Sequence, residues 1–388
     1  MRAVDLFCGC GGMSLGFQQA GIDIVAAFEN WPFAAACYKM NFKHPVYEAD
    51  LSDVEYAVKL IAPLKPELII GGPPCQDFSN AGNRREGKRA DLTLAFARIV
   101  VSISPRYFVM ENVERASLSK TYANAKKLLK DNGYGLTERV LNACYYGVPQ
   151  NRKRFFCIGI KDTPDNSIDG VLSSNQTVLP MTIRDYYTHN DMQLPFEYYY
   201  RHPRTYSRRG VFSVDEPAPT IRGVNRPRPA NYQKHENDVV NPENVRAMSA
   251  QERAIIQTFP VDYVWPDSSA NTEQMIGNAV PVKLAEHVAR AVLTHLQGLT
   301  NDQDLRFIDW LIQIKGYSTR AASDVLSRIK RANRIITIED HPLADTLQVL
   351  EQSADFSMIN KSVQSQIKRA LRFYHEYCDR EEVQENGT

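Results

Sequence analysis

The 388 residues carry 46 Lys and Arg against 45 Asp and Glu, a formal net charge of +1, so no overall field announces a polyanionic partner and any nucleic acid has to be met by local clusters. No run of eighteen apolar residues occurs and the opening "MRAVDLF" lacks an apolar leader, which sets aside a membrane span and a signal peptide and leads us to expect a cytoplasmic protein. Seven scattered cysteines without CxxC pairing argue against a disulfide framework and against any metal site, and imply a reducing compartment.

From residue 1 to about 160, short apolar runs alternate with amphipathic stretches. "RAVDLF", "DIVAAF", "PELIIGG", "PRYFVMEN" and "RFFCIGI" read as strands, and 13–21, 31–42, 92–103 and 122–133 as helices. Near-continuous apolar strands between helical periods predict a doubly wound α/β domain with a mostly parallel sheet, whose ligands bind beyond the carboxyl ends of the strands. The first such end is "FCGCGGMSLG", where Gly9, Gly11 and Gly12 would let backbone approach a ligand; the same loop fits a tight strand-to-helix turn. Glu29 closes the second strand, where an acid takes both hydroxyls of a ribose, and Asp50 follows the third, placed to accept from an adenine amine. Taken alone, either acid also suits a turn or a helix cap.

The next strand runs into "GGPPCQDFS". A structural cysteine belongs in an element interior. Cys75 instead follows Pro73 and Pro74, in a turn that fixes φ, removes donors and holds the thiol rigidly, as a nucleophile requires. A free thiol is mostly protonated at neutrality, so it needs a base or an electrophile activated by other groups. Two further strand ends offer them, with Glu111 and Asn112 after "PRYFVM" and with Arg152 and Arg154 in "QNRKRFF". After Cys75, "SNAGNRREGKRADL" reads as a mobile basic loop or as plain solvated surface.

Beyond residue 161 the texture turns to Pro, Arg, Tyr and Asn, a loop-rich lobe. Helical periodicity returns at "SAQERAIIQTFP", where Ser249 and Glu252 form a capping-box pattern, and at "IGNAVPVKLAEHVARAVLTHL". The domain boundaries follow as 1–180 and 246–298 for the α/β domain, 181–245 for the lobe, and 299–388 for a helical appendage.

Taken in order, "FCGCGG", "GGPPCQDFS", "ENV", "QNRKR" and "IGNAVP" resemble the motif set of the cytosine-5 DNA methyltransferases of bacterial restriction–modification systems, over roughly residues 1–295. The resemblance implies a Rossmann-like methyltransferase fold, S-adenosylmethionine as cofactor with S-adenosylhomocysteine as product, and a target cytosine flipped out of duplex DNA. It makes Cys75 the nucleophile at carbon 6, Glu111 the partner of ring N3 and the exocyclic amine, and Arg154, with Arg152 behind it, the stabiliser of charge at O2. Glu111 must then carry a proton, so a raised pKa is expected. Pro74 and Asn112 are implied to hold a water near carbon 5. Cofactor contacts carry over to Phe7, Gly9, Gly11, Glu29, Asn30, Trp31, Asp50, Leu51, Pro73, Leu92 and Asn278. In one departure, the aromatic expected after the ribose acid is Asn30, and Trp31 comes one residue later.

For DNA, the resemblance favours closure of the basic loop through Ser79, Arg84, Arg85, Lys88 and Arg89. It places recognition loops near 204–210 and 220–228, with Arg208, Arg209, Thr220, Arg222 and Arg226 as contacts; arginine is the commonest reader of guanine. A monomer near the nucleoid, protecting DNA from a cognate restriction endonuclease, is the implied setting. The tail stretch "FIDWLIQIKGYSTRAASDVLSRIKRA" loosely resembles the core-binding module of tyrosine recombinases, and "RIKRANR" fits a DNA clamp or, at least as well, an ordinary solvated helix face packed on the main body.

Overall fold

The computed structural model describes residues 1–74, 91–174, 176–203, 205, 208–266, 268–296, 302–336, 338 and 342–385. Cys75, Ser79, Arg84, Arg85, Lys88 and Arg89 lie outside the described residues. The chain divides into two compact units, Met1–Asp165 with Met181–Ala289, and Asn166–Pro180 with Arg290–Thr388.

The strands of the first unit are β1 (Arg2–Leu6), β2 (Asp23–Glu29), β3 (Val46–Glu48), β4 (Leu68–Gly71), β5 (Tyr107–Asn112), β6 (Tyr134–Asn142), β7 (Gln150–Asn151), β8 (Lys153–Lys161), β9 (Tyr198–Tyr200), β10 (Val211–Ser213) and β11 (Ala218–Pro219). Seven of them form one sheet in the order β3-β2-β1-β4-β5-β8-β6. Pairing is parallel from β3 to β5, while β8 runs antiparallel to both β5 and β6. Parallel strands need crossover helices, and Gly12–Gln19, Pro32–Asn41, Val54–Ile61 and Asp91–Ile103 supply them.

Alternation along β1 sorts the two faces. Val4 and Leu6 enter a core with Ile69, Phe96, Phe108 and Leu129, whereas Asp5 meets Ser14 of the first helix on the other face. The central strands are buried throughout, as apolar runs in a covered sheet should be. β6 is the exception. Its mixed "YGLTERVLN" is partly exposed at the sheet's edge, and no continuous apolar run announces it.

A lobe of short strands and loops follows, with β9 antiparallel to β10 and β11 parallel to β7. It returns to the α/β body at the helix Ala250–Ile256, whose start is the expected box: Ser249 N–H donates to Glu252 Oε2 at 2.7 Å and Ser249 Oγ accepts the Glu252 N–H at 3.2 Å.

The second unit packs the helices Asp302–Gln313, Thr319–Asn333, Leu343–Gln352 and Lys361–Glu385 around Phe307, Leu311, Leu326, Leu350, Phe356 and Leu371. Residues 166–180, assigned from sequence to the α/β domain, belong to this unit. Arg331 and Arg334 donate to the carbonyls of Val178 and Ser174, and Lys330 pairs with Asp304 at 2.6 Å. Three cations of "RIKRANR" therefore make contacts within the helical unit itself. Among the described residues no helix is long and apolar enough to cross a membrane.

Candidate functional site

The parallel strands end on one edge, and β8, running the other way, begins there. Glu111 lies opposite Phe156 in the ladder, and Arg154 is two residues before Phe156, so both side chains share a face of adjacent strands. Arg154 Nε meets Glu111 Oε1 at 2.9 Å, with the two side chains 13% and 10% exposed. Burial raises the Glu111 carboxyl above its ordinary value, opposed by Arg154 and then Arg152. Burial likewise lowers Arg154, with Glu111 opposing.

The proline turn is drawn onto this pair. A Cβ on Gly72 would stand 3.1 Å from Glu111 Oε2, so the glycine leaves the carboxylate its place. Asn112 Nδ2 donates to the Pro73 carbonyl at 3.0 Å, and its Oδ1 accepts the Val113 N–H at 2.8 Å. Asn112 thus pins the turn that carries the chain into Cys75. Pro73 is buried and Pro74 exposed.

Arg152 does something other than the sequence suggests. It is 0% exposed, and its guanidinium donates to the carbonyls of Ile221 at 2.9 Å, Gly277 at 2.9 Å and Ala279 at 3.0 Å. Those bonds engage its two terminal nitrogens in tying the 220s segment and the "IGNAVP" stretch to the strand edge. We therefore correct its assignment from charge stabiliser at O2 to structural tie.

Three left-handed residues at alternate positions shape the first loop: Phe7 at φ 58, Gly9 at φ 56 and Gly11 at φ 89. Positive φ in a bulky residue such as Phe7 is held only by its surroundings, here packing against the sheet core. The glycines divide by cause. A Cβ on Gly9 meets nothing within 4 Å, leaving its backbone open to a ligand, whereas one on Gly11 would fall 2.3 Å from the Phe42 ring. A Cβ on Gly12 would fall 2.4 Å from the Val280 carbonyl. Close packing thus requires glycine at positions 11 and 12, in keeping with the tight-turn alternative, whereas at Gly9 it does not.

Glu29 takes the Gly9 N–H on Oε2 and the Trp31 N–H on Oε1, both at 2.8 Å. The Asn30 N–H also acts on this carboxylate, which leaves it lone-pair room for a further donor. Burial raises its pKa against those backbone donors. Trp31 caps the next helix and is partly buried against the core around Cys10 and Cys37, while Asn30 is exposed. Asp50 is exposed, with Oδ1 accepting the Ser52 N–H at 3.0 Å. Leu51 is buried in the sheet core and Leu92 half-buried. Asn278 is exposed at a helix end and accepts from Gln274 Nε2 at 2.9 Å.

Beneath the loop runs a buried polar chain the sequence does not mark. Ser14 Oγ donates to Asp5 Oδ2 at 2.6 Å, Tyr38 Oη donates to Ser14 Oγ at 2.7 Å, and His44 Nε2 lies 2.7 Å from Tyr38 Oη. Asp5 is 1% exposed and its pKa is pushed up to about 7, chiefly by burial.

In the lobe, the expected arginines part company. Arg208 and Arg226 are exposed. Arg209 pairs with Glu216 and lies over the Phe212 ring at 4.3 Å, and Arg222 donates to the His202 carbonyl, so both serve the lobe's own packing. Thr220 Oγ1 donates to the Asn151 carbonyl at 2.9 Å, fastening the lobe to β7.

A family model for the C-5 cytosine-specific DNA methylases matches residues 1–294. The Type II methyltransferase M.HgiDI of Herpetosiphon aurantiacus is 52% identical over 297 residues, 76% of this chain and 95% of the relative. M.HindV of Haemophilus influenzae is 51% identical over 296 residues, covering 76% and 96%. Among solved structures, the S. pombe Dnmt2 methyltransferase superposes with TM-score 0.58 at 20% identity over 78% of this chain and 99% of that one, a likeness of fold.

Proposed function

Since the chain belongs to the C-5 cytosine-specific DNA methylase family, with Type II methyltransferases among its relatives, we propose that it methylates carbon 5 of a cytosine flipped out of a specific short duplex DNA site, through a covalent adduct at Cys75. The observation that carries this reading is the buried Glu111–Arg154 pair set against the Gly72–Pro74 turn. A neutral pyrimidine is a poor acceptor until donors reach N3 and O2. A carboxyl whose pKa is raised by burial can offer its proton to N3, and Arg154 is the cation within reach of the same ring. The Cys75 thiolate bonds to carbon 6 as the carbon 5–carbon 6 double bond opens and N3 takes the Glu111 proton, which leaves carbon 5 nucleophilic. After carbon 5 is alkylated, a water takes its proton, the carbon 5–carbon 6 double bond re-forms, the sulfur–carbon bond breaks to release the thiolate, and N3 returns its proton to Glu111. Asn112 fixes the Pro73 carbonyl, two residues before Cys75 in the chain.

The residues present fit S-adenosylmethionine: an open Gly9 backbone, the Glu29 carboxylate with lone pairs remaining, and Asp50 exposed at the next strand end. When bound, that cofactor supplies the electrophilic methyl group and leaves as S-adenosylhomocysteine. Glu29 would hold its ribose and Asp50 its adenine amine. Duplex DNA is the macromolecular partner. Its methylation would protect the host from a cognate endonuclease, and a monomer suffices for the chemistry.

The test is transfer of labelled methyl groups from S-adenosylmethionine to duplex DNA. Incorporation should vanish in Cys75→Ser, and undiminished incorporation there would overturn the reading.

A further inference from the structure

An open groove of about 870 Å³ is bordered by Asn151, Thr220, Arg208 and Arg209, and also by His235 and Asn237. Asn151 lies on β7, just ahead of Arg154, so the groove adjoins the strand edge that carries Glu111. No motif marks the 232–238 loop, yet it is firmly built. The buried Asp238 carboxylate accepts four donors: the N–H groups of Gly210 and Val211 on Oδ1, both at 2.8 Å, and the Tyr232 hydroxyl at 2.9 Å and His235 N–H at 2.8 Å on Oδ2. Tyr232 Oη in turn accepts from Gly210 N–H at 2.9 Å, and a Cβ on Gly210 would fall 2.7 Å from that oxygen. One acid thus fastens the stem of the Arg208 segment to the loop that bears His235.

The loop's chemistry is suited to base edges. Asn237 N–H donates to His235 Nδ1 at 3.1 Å, so the neutral ring keeps its proton on Nε2 as a donor. Asn237 is exposed, and a side-chain amide matches adenine bidentately while donors match the acceptors of guanine. A wall that only gripped phosphate would call for cations, which this loop does not bring to the groove at these two positions.

We propose that His235 and Asn237 read base edges of the target duplex, and that Asp238 is the positioning residue that holds them in register with Arg208. This rests on the methyltransferase reading above. The experiment methylates a randomised duplex pool with S-adenosylmethionine and scores each position by bisulfite sequencing. His235→Ala and Asn237→Ala should each lower the preference at one base pair by about tenfold or more and leave the others intact. Asp238→Asn should weaken the same base pairs and, combined with His235→Ala, add nothing further at the position His235 reads, a non-additivity that general destabilisation does not produce. Preferences unchanged in both alanine variants would overturn the proposal. A uniform loss of methylation with a shallower salt dependence would overturn it as well, since that marks phosphate contact. The two alanine variants decide by themselves if Asp238→Asn does not fold. A wild-type protein that methylates nothing in the pool defeats the underlying reading, whereas an active one with unaltered preferences in the variants defeats this inference alone.

Discussion

At the strand ends, Glu111 and Arg154 meet because the ladder brings neighbouring strands into register, whereas in the lobe Arg208 is placed by an acid, Asp238, borne on a separate loop. The first arrangement is fixed by topology and would survive many changes of sequence around it. The second hangs on single side chains whose partners are distant in the chain. Basic residues teach the same lesson in both places: Arg152 and Arg222 donate to backbone carbonyls and build the protein, while Arg208 and Arg226 remain exposed. An arginine in a motif is a candidate contact only once its own donors are accounted for.

The largest expected effect tests the strand-end pair. Glu111→Gln retains a donor but cannot pass a proton, and its single-turnover methyl transfer should fall roughly 10²- to 10⁴-fold with folding preserved. Wild-type rates in that variant would remove Glu111 from the chemistry.

Two arginines only two positions apart should then separate cleanly. Arg152→Leu leaves three carbonyls without their donor, so urea unfolding should show a loss of about 3 kcal/mol or more. Arg154→Lys should instead keep most of the stability and lose rate, because the bond it alters is the one to Glu111. Equal losses of stability in both would erase the distinction drawn between them.

Asp5 offers a pH-dependent measure of the same edge. Its folded pKa, about 7 against an ordinary 3.8, lies above the unfolded value, so the folded state binds the proton more tightly. Stability from this group is full below about pH 4 and is lost progressively as pH rises toward 7, on the order of 1 kcal/mol per pH unit. Asp5→Asn should flatten that slope in denaturation series across this window, and an unchanged slope would contradict it.

Much of the site was readable beforehand, and the reason is physical. Strand ends of a parallel sheet converge whatever the loops do, so Glu29 and Glu111 could be placed from apolar runs alone, whereas Arg154 reaches the same edge because it opens β8, which runs the other way. β6 was not legible because a half-exposed edge strand lacks a continuous apolar signal. The glycine loop stayed open between ligand and tight turn because a glycine that admits a ligand and one that admits a neighbouring atom look identical in sequence; Phe42 beside Gly11 and the Val280 carbonyl beside Gly12 set these two apart from Gly9. Asp238 and the Asp5–Ser14–Tyr38–His44 chain depend on partners scattered across the fold, with no local spacing to reveal them.

Smaller effects sharpen this further. Gly11→Ala should cost about 2 kcal/mol of stability through positive φ and the Phe42 ring, whereas Gly9→Ala, strained at its own positive φ but with nothing within 4 Å of the added Cβ, should cost about 1 kcal/mol and also weaken S-adenosylmethionine binding, as titration calorimetry would show. In the lobe, Arg208→Ala should lower DNA affinity by about 1 kcal/mol, while Arg209→Ala should lower the melting temperature by a few degrees through loss of its Glu216 and Phe212 contacts. The reverse pattern would mean the two neighbours had been assigned the wrong way round.

The account stands most directly on the sulfur–carbon bond. Incubating the protein and S-adenosylmethionine with a duplex carrying 5-fluorocytosine at the target should yield a denaturation-resistant complex, because fluorine at carbon 5 blocks release of Cys75, and peptide mass mapping should locate the modification there. A wild-type enzyme that turns over ordinary duplex DNA yet forms no such adduct, or forms it at another residue, would contradict the mechanism.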